Sequence, residues 1–402
     1  MSLPRLPVGE RIRYYRGQAH RTQAAIAGLC GVTGRYLSLI ENGRKTPSVD
    51  LLARLARELG VPIAALLSDE QVTGPAVAVT AAPDVARSLT GFAPSSSAEP
   101  ATPAQLRERV DSAWRTWQSS PGRFTEAAAI LPPLIGDVER AVHACRANGV
   151  ANRRDILRVA ADLYGLLRSY CRRTGRLDLS LMVADRAVRA AEDADDPVRI
   201  AAGRWNLSHV LLSHDEPSAV EQARAIALDA ADQLRMTART RKADAVRGAL
   251  ELVTVVADAR QRRWWDARRR LRERAMPLAQ QIGEGNAMWT VFGPTNVKLH
   301  AVSVEVLAGE ASEGLRVADQ IDPSRLPSRE RRFTFGLEVA RCHDLRREDA
   351  AVLVHLLSLE QLAPEDLQRS PLACNLVTGL LRRARPTHRR QIAALAGRLS
   401  LV

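Results

Sequence analysis

One stretch limits what this chain can fold into more than any other: residues 21–47, RTQAAIAGLCGVTGRYLSLIENGRKTP. The hydroxyl of Thr22 can accept an orphan backbone N–H and so start a helix. Ala25, Ile26 and Leu29 then fall at i, i+1, i+4 and form one apolar face. Gly31 stops that helix, and Val32 plugs the corner behind it. Thr33 caps a second helix in which Tyr36, Leu37 and Ile40 share a face, and Asn42-Gly43 and Pro47 end it. Such a layout predicts two short helices crossing steeply over a tight turn.

The surrounding residues complete a small domain. Val8 to Arg16 reads as a preceding helix, with Val8, Ile12 and Tyr15 inward. Ser48 can cap a helix over 49–59 whose Leu51, Leu52, Leu55, Ala56 and Leu59 keep helical spacing. Residues 63–67 close the bundle after Gly60-Val61-Pro62. The expected core is Ile12, Ile26, Val32, Leu37, Ile40, Leu52 and Leu55.

These residues carry a resemblance. Thr22-Gln23, Ala27, Gly31-Val32-Thr33, Leu37-Ser38, Ile40-Glu41-Asn42-Gly43 and Pro47-Ser48 stand as in the Xre/Cro/C1-type helix-turn-helix family, over about residues 8–67. Three positions depart from that pattern. Ile26 replaces a usual Leu, Cys30 fills a variable helix-end site, and Gly34 stands where many relatives carry a base-reading side chain. The resemblance implies a partner in double-stranded DNA. It places Gln23, Thr33, Gly34, Arg35, Ser38, Asn42, Arg44 and Lys45 at the interface. The weight of base reading then falls on Arg35 and Ser38, with Arg35 able to pair bidentately with a guanine edge. Glu41 reads as a cap or a bridge within the domain, and Tyr36 as partly buried scaffold.

Charge agrees with a nucleic-acid partner once its placement is considered. The 402 residues carry a formal net charge of +13, but only Lys45, Lys242 and Lys298 are lysines. An arginine and alanine excess of this kind also follows from a GC-rich genome. Within 1–68, however, arginines and Lys45 clearly outnumber Glu10, Glu41, Asp50 and Glu58, a density that suits phosphate contacts.

Residues 69–103 change character: Ala, Pro, Ser, Thr and Val dominate and no helical period survives, so a flexible linker is expected. From 104 to 402 the pattern is helical almost without break. Aromatic residues are only 4% of the chain, which leaves the packing to Leu and Ala. Polar turns at Gly149, Gly175, Asp195-Asp196-Pro197, Asp215-Glu216-Pro217, Gly283-Glu284-Gly285, Gly309, Asp322-Pro323, Leu362-Ala363-Pro364 and Pro386 divide it into helix pairs. Small residues recur after the turns: Ser180, Ala184 and Ala187 follow Gly175, and Gly314 and Ala318 follow Gly309. Stacked pairs of this kind bury a continuous core and curve into a superhelix. The fold class expected is therefore all-α: a five-helix, lambda-repressor-like domain, then an α-solenoid that resembles a tetratricopeptide array.

That order of domains, with the run Phe292-Gly293-Pro294-Thr295-Asn296-Val297, resembles a group of actinobacterial transcriptional regulators. More distantly it resembles the peptide-sensing regulators of Gram-positive bacteria. In those, Asn side chains on the concave surface hold the backbone of an extended peptide, because an amide both donates and accepts. On that ground Trp205, Asn206, Trp289, Asn296 and His300 are the candidate ligand-binding residues. A purely structural reading stands beside it, with the tryptophans as core and the asparagines as caps or inter-helix bridges. Trp264-Trp265 reads as packing at a helix start.

Other functions find no support in the pattern. The five cysteines (Cys30, Cys145, Cys171, Cys342, Cys374) are scattered and in no metal-ligand spacing, so reduced thiols in a cytoplasmic protein are expected. Neither a Lys-Ser/Thr phosphate loop nor a His-Glu-x-x-His motif occurs, so neither catalysis nor a cofactor is expected. With no apolar run long enough to cross a bilayer, no membrane partner is expected either. The expectation is a sequence-specific transcriptional regulator whose helical-repeat domain forms a homodimer and senses a peptide, small molecule or protein. The alternative is an interaction scaffold whose DNA binding is weak or vestigial.

Overall fold

The computed structural model describes residues 7–19, 21–61, 63–67, 82–91, 101–148, 152–214, 216–383 and 385–401. The chain divides into two compact units, Met1–Ala76 and Val77–Val402. Among the described residues every regular element is helical, and no strand occurs.

Unit 1 holds α1 (Val8–Gln18), α2 (Gln23–Leu29), α3 (Gly34–Glu41), α4 (Val49–Leu59) and α5 (Ile63–Leu67). Each expected cap is formed: the Thr22, Thr33 and Ser48 hydroxyls accept from the backbone N–H of Ala25, Tyr36 and Leu51 at 3.2, 3.2 and 3.3 Å. Gly31 takes φ +66°, the left-handed turn between α2 and α3 that favours glycine. Ile12, Ile26, Leu37, Ile40, Leu52 and Leu55 are buried together, and Val32 is half-buried against them. One phase expectation fails. Leu29 is 55% exposed, while Cys30 is fully buried. The inward face of α2 is Ile26, Ala27 and Cys30, again i, i+1, i+4 but shifted by one residue. With α2 only seven residues long, its last position points away, and the chain turns inward at Cys30.

Unit 2 begins with a correction to the linker. Residues 69–81 and 92–100 lie outside the described residues, but between them stands α6 (Ala82–Leu89). Its Val85 and Leu89, one turn apart, are 1% and 3% exposed and belong to the first core cluster of the unit. Pro83 fits the first turn of a helix, where no N–H is needed. An alanine- and proline-rich stretch thus hides one amphipathic turn pair.

The array then runs α7 (Pro103–Ser119), α8 (Arg123–Asn148), α9 (Arg153–Arg173), α10 (Leu177–Asp193), α11 (Pro197–Leu211), α12 (Pro217–Thr237) and α13 (Arg241–Arg260). Next, α14 (Trp264–Arg270) passes through one π-helical turn, Leu271–Ala275, into α15 (Met276–Ile282). Pro277 stands just beyond that turn, and its ring and missing N–H disfavour a regular α ladder there. It closes with α16 (Pro294–Ala308), α17 (Ala311–Ala318), α18 (Arg329–Leu345), α19 (Asp349–Leu362), α20 (Pro364–Arg369), α21 (Pro371–Arg383) and α22 (Pro386–Arg398). Of the expected helix breaks, Gly149 and Asp215 lie outside the described residues.

Neighbouring helices pair as expected, α9 with α10, α11 with α12, α16 with α17 and α18 with α19. Ser180, Ala184, Ala187 and Ala318 are buried between them. The buried residues fall into successive clusters, each local in sequence, over about 85–191, 201–304, 302–342 and 333–399. This is the layout of a helical-repeat solenoid. Trp264 is half-buried, but Trp265 is 79% exposed and carries the Arg268 guanidinium over its ring rather than packing inward.

The two ends of the array meet. Arg123 at the start of α8 is 1% exposed and pairs with Asp366 of α20 and Glu330 of α18. Arg173 pairs with Glu330 as well. The Glu365 carboxylate accepts from the Phe124 backbone N–H at 2.7 Å and from the Thr125 hydroxyl. Arg329 donates to the Ser119 carbonyl at 2.8 Å.

Candidate functional site

The outer face of α3 and the residues after it form the first candidate surface. Leu37 and Ile40 anchor α3 in the core, which by helical geometry turns Thr33, Gly34, Arg35 and Ser38 outward. Arg35, Asn42, Arg44 and Lys45 are exposed; Gly34 and Ser38 are half-buried. The Thr33 side chain is exposed but engaged as the helix cap. At Gly34 a side chain would meet only the Ala24 Cα, at 4.0 Å, so packing does not demand glycine there. Asn42 Nδ2 donates to Ser38 Oγ at 3.4 Å, and the Lys45 ammonium sits 5.7 Å from the centroid of the Tyr36 ring.

Behind this face lies an ion pair. Glu41 is 1% exposed and accepts from Arg16 Nε at 2.7 Å and Arg16 Nη2 at 3.0 Å. That hydrogen bond and charge raise the Arg16 guanidinium above its ordinary value. Gln23 Nε2 donates to the same carboxylate at 2.6 Å. Glu41 therefore ties α1, α2 and α3 together and fixes the tilt of α3, the bridging role expected of it. The Gln23 side chain, expected at the surface for a phosphate, spends one N–H inside the domain.

The second set of expected residues falls into two places in unit 2. Trp205 and Asn206 lie on α11, 7% exposed each. Trp205 packs edge-on against His209 at 4.5 Å and lies 5.3 Å below the Arg168 guanidinium. Asn206 accepts a hydrogen bond from Arg168. With Trp289 it lines a cavity of about 20 Å³ that also touches Trp114, Asp162, Gly165 and Arg199. Trp289 stacks on Trp114, with centroids 5.4 Å apart and planes 5° from parallel.

Asn296 and His300 are 2% and 8% exposed on α16. Asn296 Nδ2 donates to the Val291 carbonyl at 2.6 Å, while its Oδ1 is buried without a hydrogen-bond partner. His300 Nδ1 lies 2.8 Å from the Asn296 carbonyl. Burial, with Arg331 nearby, pushes the His300 imidazole down to about 4, so it is neutral at pH 7. His209 is pushed well below its usual range by burial and by Arg168, Arg172 and Arg331.

The Phe292–Val297 run has a local structural role. Met288, Trp289 and Val291 all take positive φ, an uncommon and costly backbone for side chains of this size. Three contacts hold the loop. Phe292 fills a notch left by Gly248 on α13, where a Cβ would overlap its ring. Asn286 Oδ1 accepts from the Val291 N–H at 3.2 Å. Glu284 Oε1 accepts from the Thr295 backbone N–H at 2.9 Å, placing a carboxylate at the N-terminus of α16.

Sequence reasoning missed the arginines that surround these residues: Arg123, Arg168, Arg172, Arg173 and Arg331. In an arginine-rich chain each looked like surface charge. The signal available was their position at apolar phase, as in Arg168 between Leu167 and Ser169 in an otherwise buried run of α9. Among the described residues no group of three or more His, Cys, Asp and Glu could hold a metal ion, and no helix is long and apolar enough to cross a membrane.

Residues 12–66 match the family described as Helix-turn-helix. No curated protein matches the chain. Among solved structures the chain is similar to Bacillus thuringiensis PlcR in complex with the peptide PapR7 and DNA. The two share 14% identity over 68% of this chain and 95% of that one, with a TM-score of 0.26. The N-terminal unit is an Xre/Cro-type helix-turn-helix domain.

Proposed function

We propose that the protein is a sequence-specific DNA-binding transcriptional regulator. Unit 1 docks α3 in the major groove, and unit 2 forms a homodimer and senses an effector. The observation that carries this reading is the outward row of Arg35 and Ser38 on an α3 whose other side is pinned by Leu37, Ile40 and the Arg16–Glu41 pair. In this reading Arg35 and Ser38 read base edges, close approach is left open at Gly34, and Thr33 lies at the groove edge. Gln23, Asn42, Arg44 and Lys45 hold backbone phosphates and set the register. A homodimer would place two such helices on half-sites about 34 Å apart, or a multiple of that spacing.

Genome-wide DNA occupancy identifies the operator, and a single substitution then tests the reading. Arg35→Ala costs about 1–3 kcal/mol of specific affinity and relaxes preference at one base pair. Its thermal stability stays within about 0.5 kcal/mol of the parent, as for an ordinary surface change. A variant that binds the operator as tightly and as selectively as the parent removes Arg35 from the interface.

A further inference from the structure

Partly buried arginines in unit 2 are, as a rule, matched by acids. Arg199 pairs with Asp162 and Asp196, Arg224 and Arg263 with Asp258, and Arg268 with Glu305. At the centre of the array the matching stops. Arg123 and Arg173 share Glu330 and Asp366, two cations with two carboxylates. Arg168, Arg172 and Arg331 stand beside them with no acid in ion-pair range among the described residues. Arg168 is 3% exposed; it donates only to the neutral Asn206, and its Nε has no partner. Arg172 Nε is likewise buried and unpartnered. These groups come from α9 and α18, with His209 of α11 and His300 of α16 facing them, so the first helices of four pairs converge there.

Three guanidinium groups set mostly out of water, with only the charge of Glu330, already paired to Arg123 and Arg173, to offset them, are costly. The strain is visible in their protonation: burial and the like charges around it push Arg172 down to about 9, and burial also lowers Arg168 and Arg331. Arg172 and Arg331 keep partial exposure, so solvent and small solutes reach them.

We propose that this cluster is a binding site for a small oxyanion of at least two negative charges, a phosphate ester or diphosphate. Arg168, Arg172 and Arg331 are its ligands. The planar guanidinium fork matches phosphate oxygens two at a time. A dianion offsets most of the surplus charge, whereas a single carboxylate, such as a peptide C-terminus, leaves two cations unmatched. The inference rests on the reading of unit 2 as the sensing unit, and it names the chemistry sensed.

Inorganic pyrophosphate is the probe, titrated into the full-length protein without DNA at fixed ionic strength, with binding heat and melting temperature recorded. Parent protein binds saturably and melts higher; acetate at the same ionic strength does neither. Arg172→Gln and Arg331→Gln each weaken pyrophosphate about 10- to 100-fold, the worth of a charge-assisted hydrogen bond. Without ligand both variants melt at or above the parent temperature, because each removes an unmatched charge. Exposed Arg389→Gln binds like the parent. No saturable binding by the parent, undiminished binding by both variants, or equal stabilisation by acetate overturns the proposal. If pyrophosphate binds but phosphate monoesters do not, the site takes inorganic diphosphate alone, and the phosphate-ester half of the proposal is lost. Operator binding by the same preparation is read separately, so a failed anion site and a failed DNA-binding reading are told apart.

Discussion

Asn296 sits in the first turn of α16, where its amide reaches back to the Val291 carbonyl at 2.6 Å. Val291 has φ +51°, and a donor fixed in place is what keeps such a residue there. Asn296→Ala removes that donor and leaves a buried carbonyl unsatisfied, so a loss of about 1–3 kcal/mol is expected in denaturant melts. A change below about 0.5 kcal/mol would mean that the loop holds without it and would return Asn296 to the list of ligand contacts. His300, one turn on, answers to pH. Its folded value of about 4 lies below the unfolded value of roughly 6.5, so the neutral form is favoured by folding. That contribution is complete above about pH 6.5 and is lost as the pH falls toward 4. It amounts to on the order of 3 kcal/mol, and His209 acts in the same sense. Glu330 is also held below its usual value, by Arg173, Arg123 and Arg331 against its burial, but its own loss begins only below about pH 4.5. His300→Gln cannot titrate, and its melting temperature should fall less between pH 7 and pH 5 than that of the parent. An identical fall would assign the acid sensitivity to other groups.

At the scale of elements, Gly248 and Phe292 show how one helix holds one loop. A methyl group on Gly248 would displace the Phe292 ring, which is 1% exposed. Alanine is the better helix former by about 1 kcal/mol, and overpacking costs about 1–3 kcal/mol. Gly248→Ala is therefore expected to destabilise on balance, and Phe292→Leu in the same chain to recover part of the loss. A more stable Gly248→Ala would mean that the notch is roomier than it looks. The same elements explain what the sequence disclosed. Caps at Thr22, Thr33 and Ser48 were legible because a cap is a local bond between residues three apart. Ala25, Ile26 and Leu29 misled by one residue, since a seven-residue helix offers too little length to fix its phase. The α6 helix was hidden because only two large apolar residues, Val85 and Leu89, anchor it, beside the small Ala86 and Ser88. For Asn206 and Asn296 the sequence pointed to polar groups within apolar helices, and both are buried. What it could not supply was the partner, Arg168 in one case and Val291 in the other, because partners across helices depend on how the array curves.

On the scale of the whole repeat unit, the decisive contacts join residues 157 to 243 positions apart. Removing one member of a buried pair leaves a bare charge and costs about 3–5 kcal/mol. Arg123→Ala leaves Asp366, which is 4% exposed, with only the longer Arg173 contact at 3.9 Å, and should be among the most destabilising changes to a charged residue in unit 2. Asp366→Asn in the same chain should restore part of the loss. Hydrogen exchange should show faster opening at both α8 and α20 in Arg123→Ala, since the pair belongs to both. Faster exchange in α8 alone would mean that Arg123 acts only on its own repeat. An open row of repeats can fray from either tip without consulting the other, because each unit feels only its neighbours. Here the Arg123–Asp366 and Arg173–Glu330 pairs tie the first repeats to the late ones. The stretch between those pairs is expected to follow the statistics of a closed loop of interacting spins, where melting any one unit first requires two new boundaries. That raises the cooperativity of unfolding and makes an anion arriving near Arg173 a disturbance felt at both ends of the row at once.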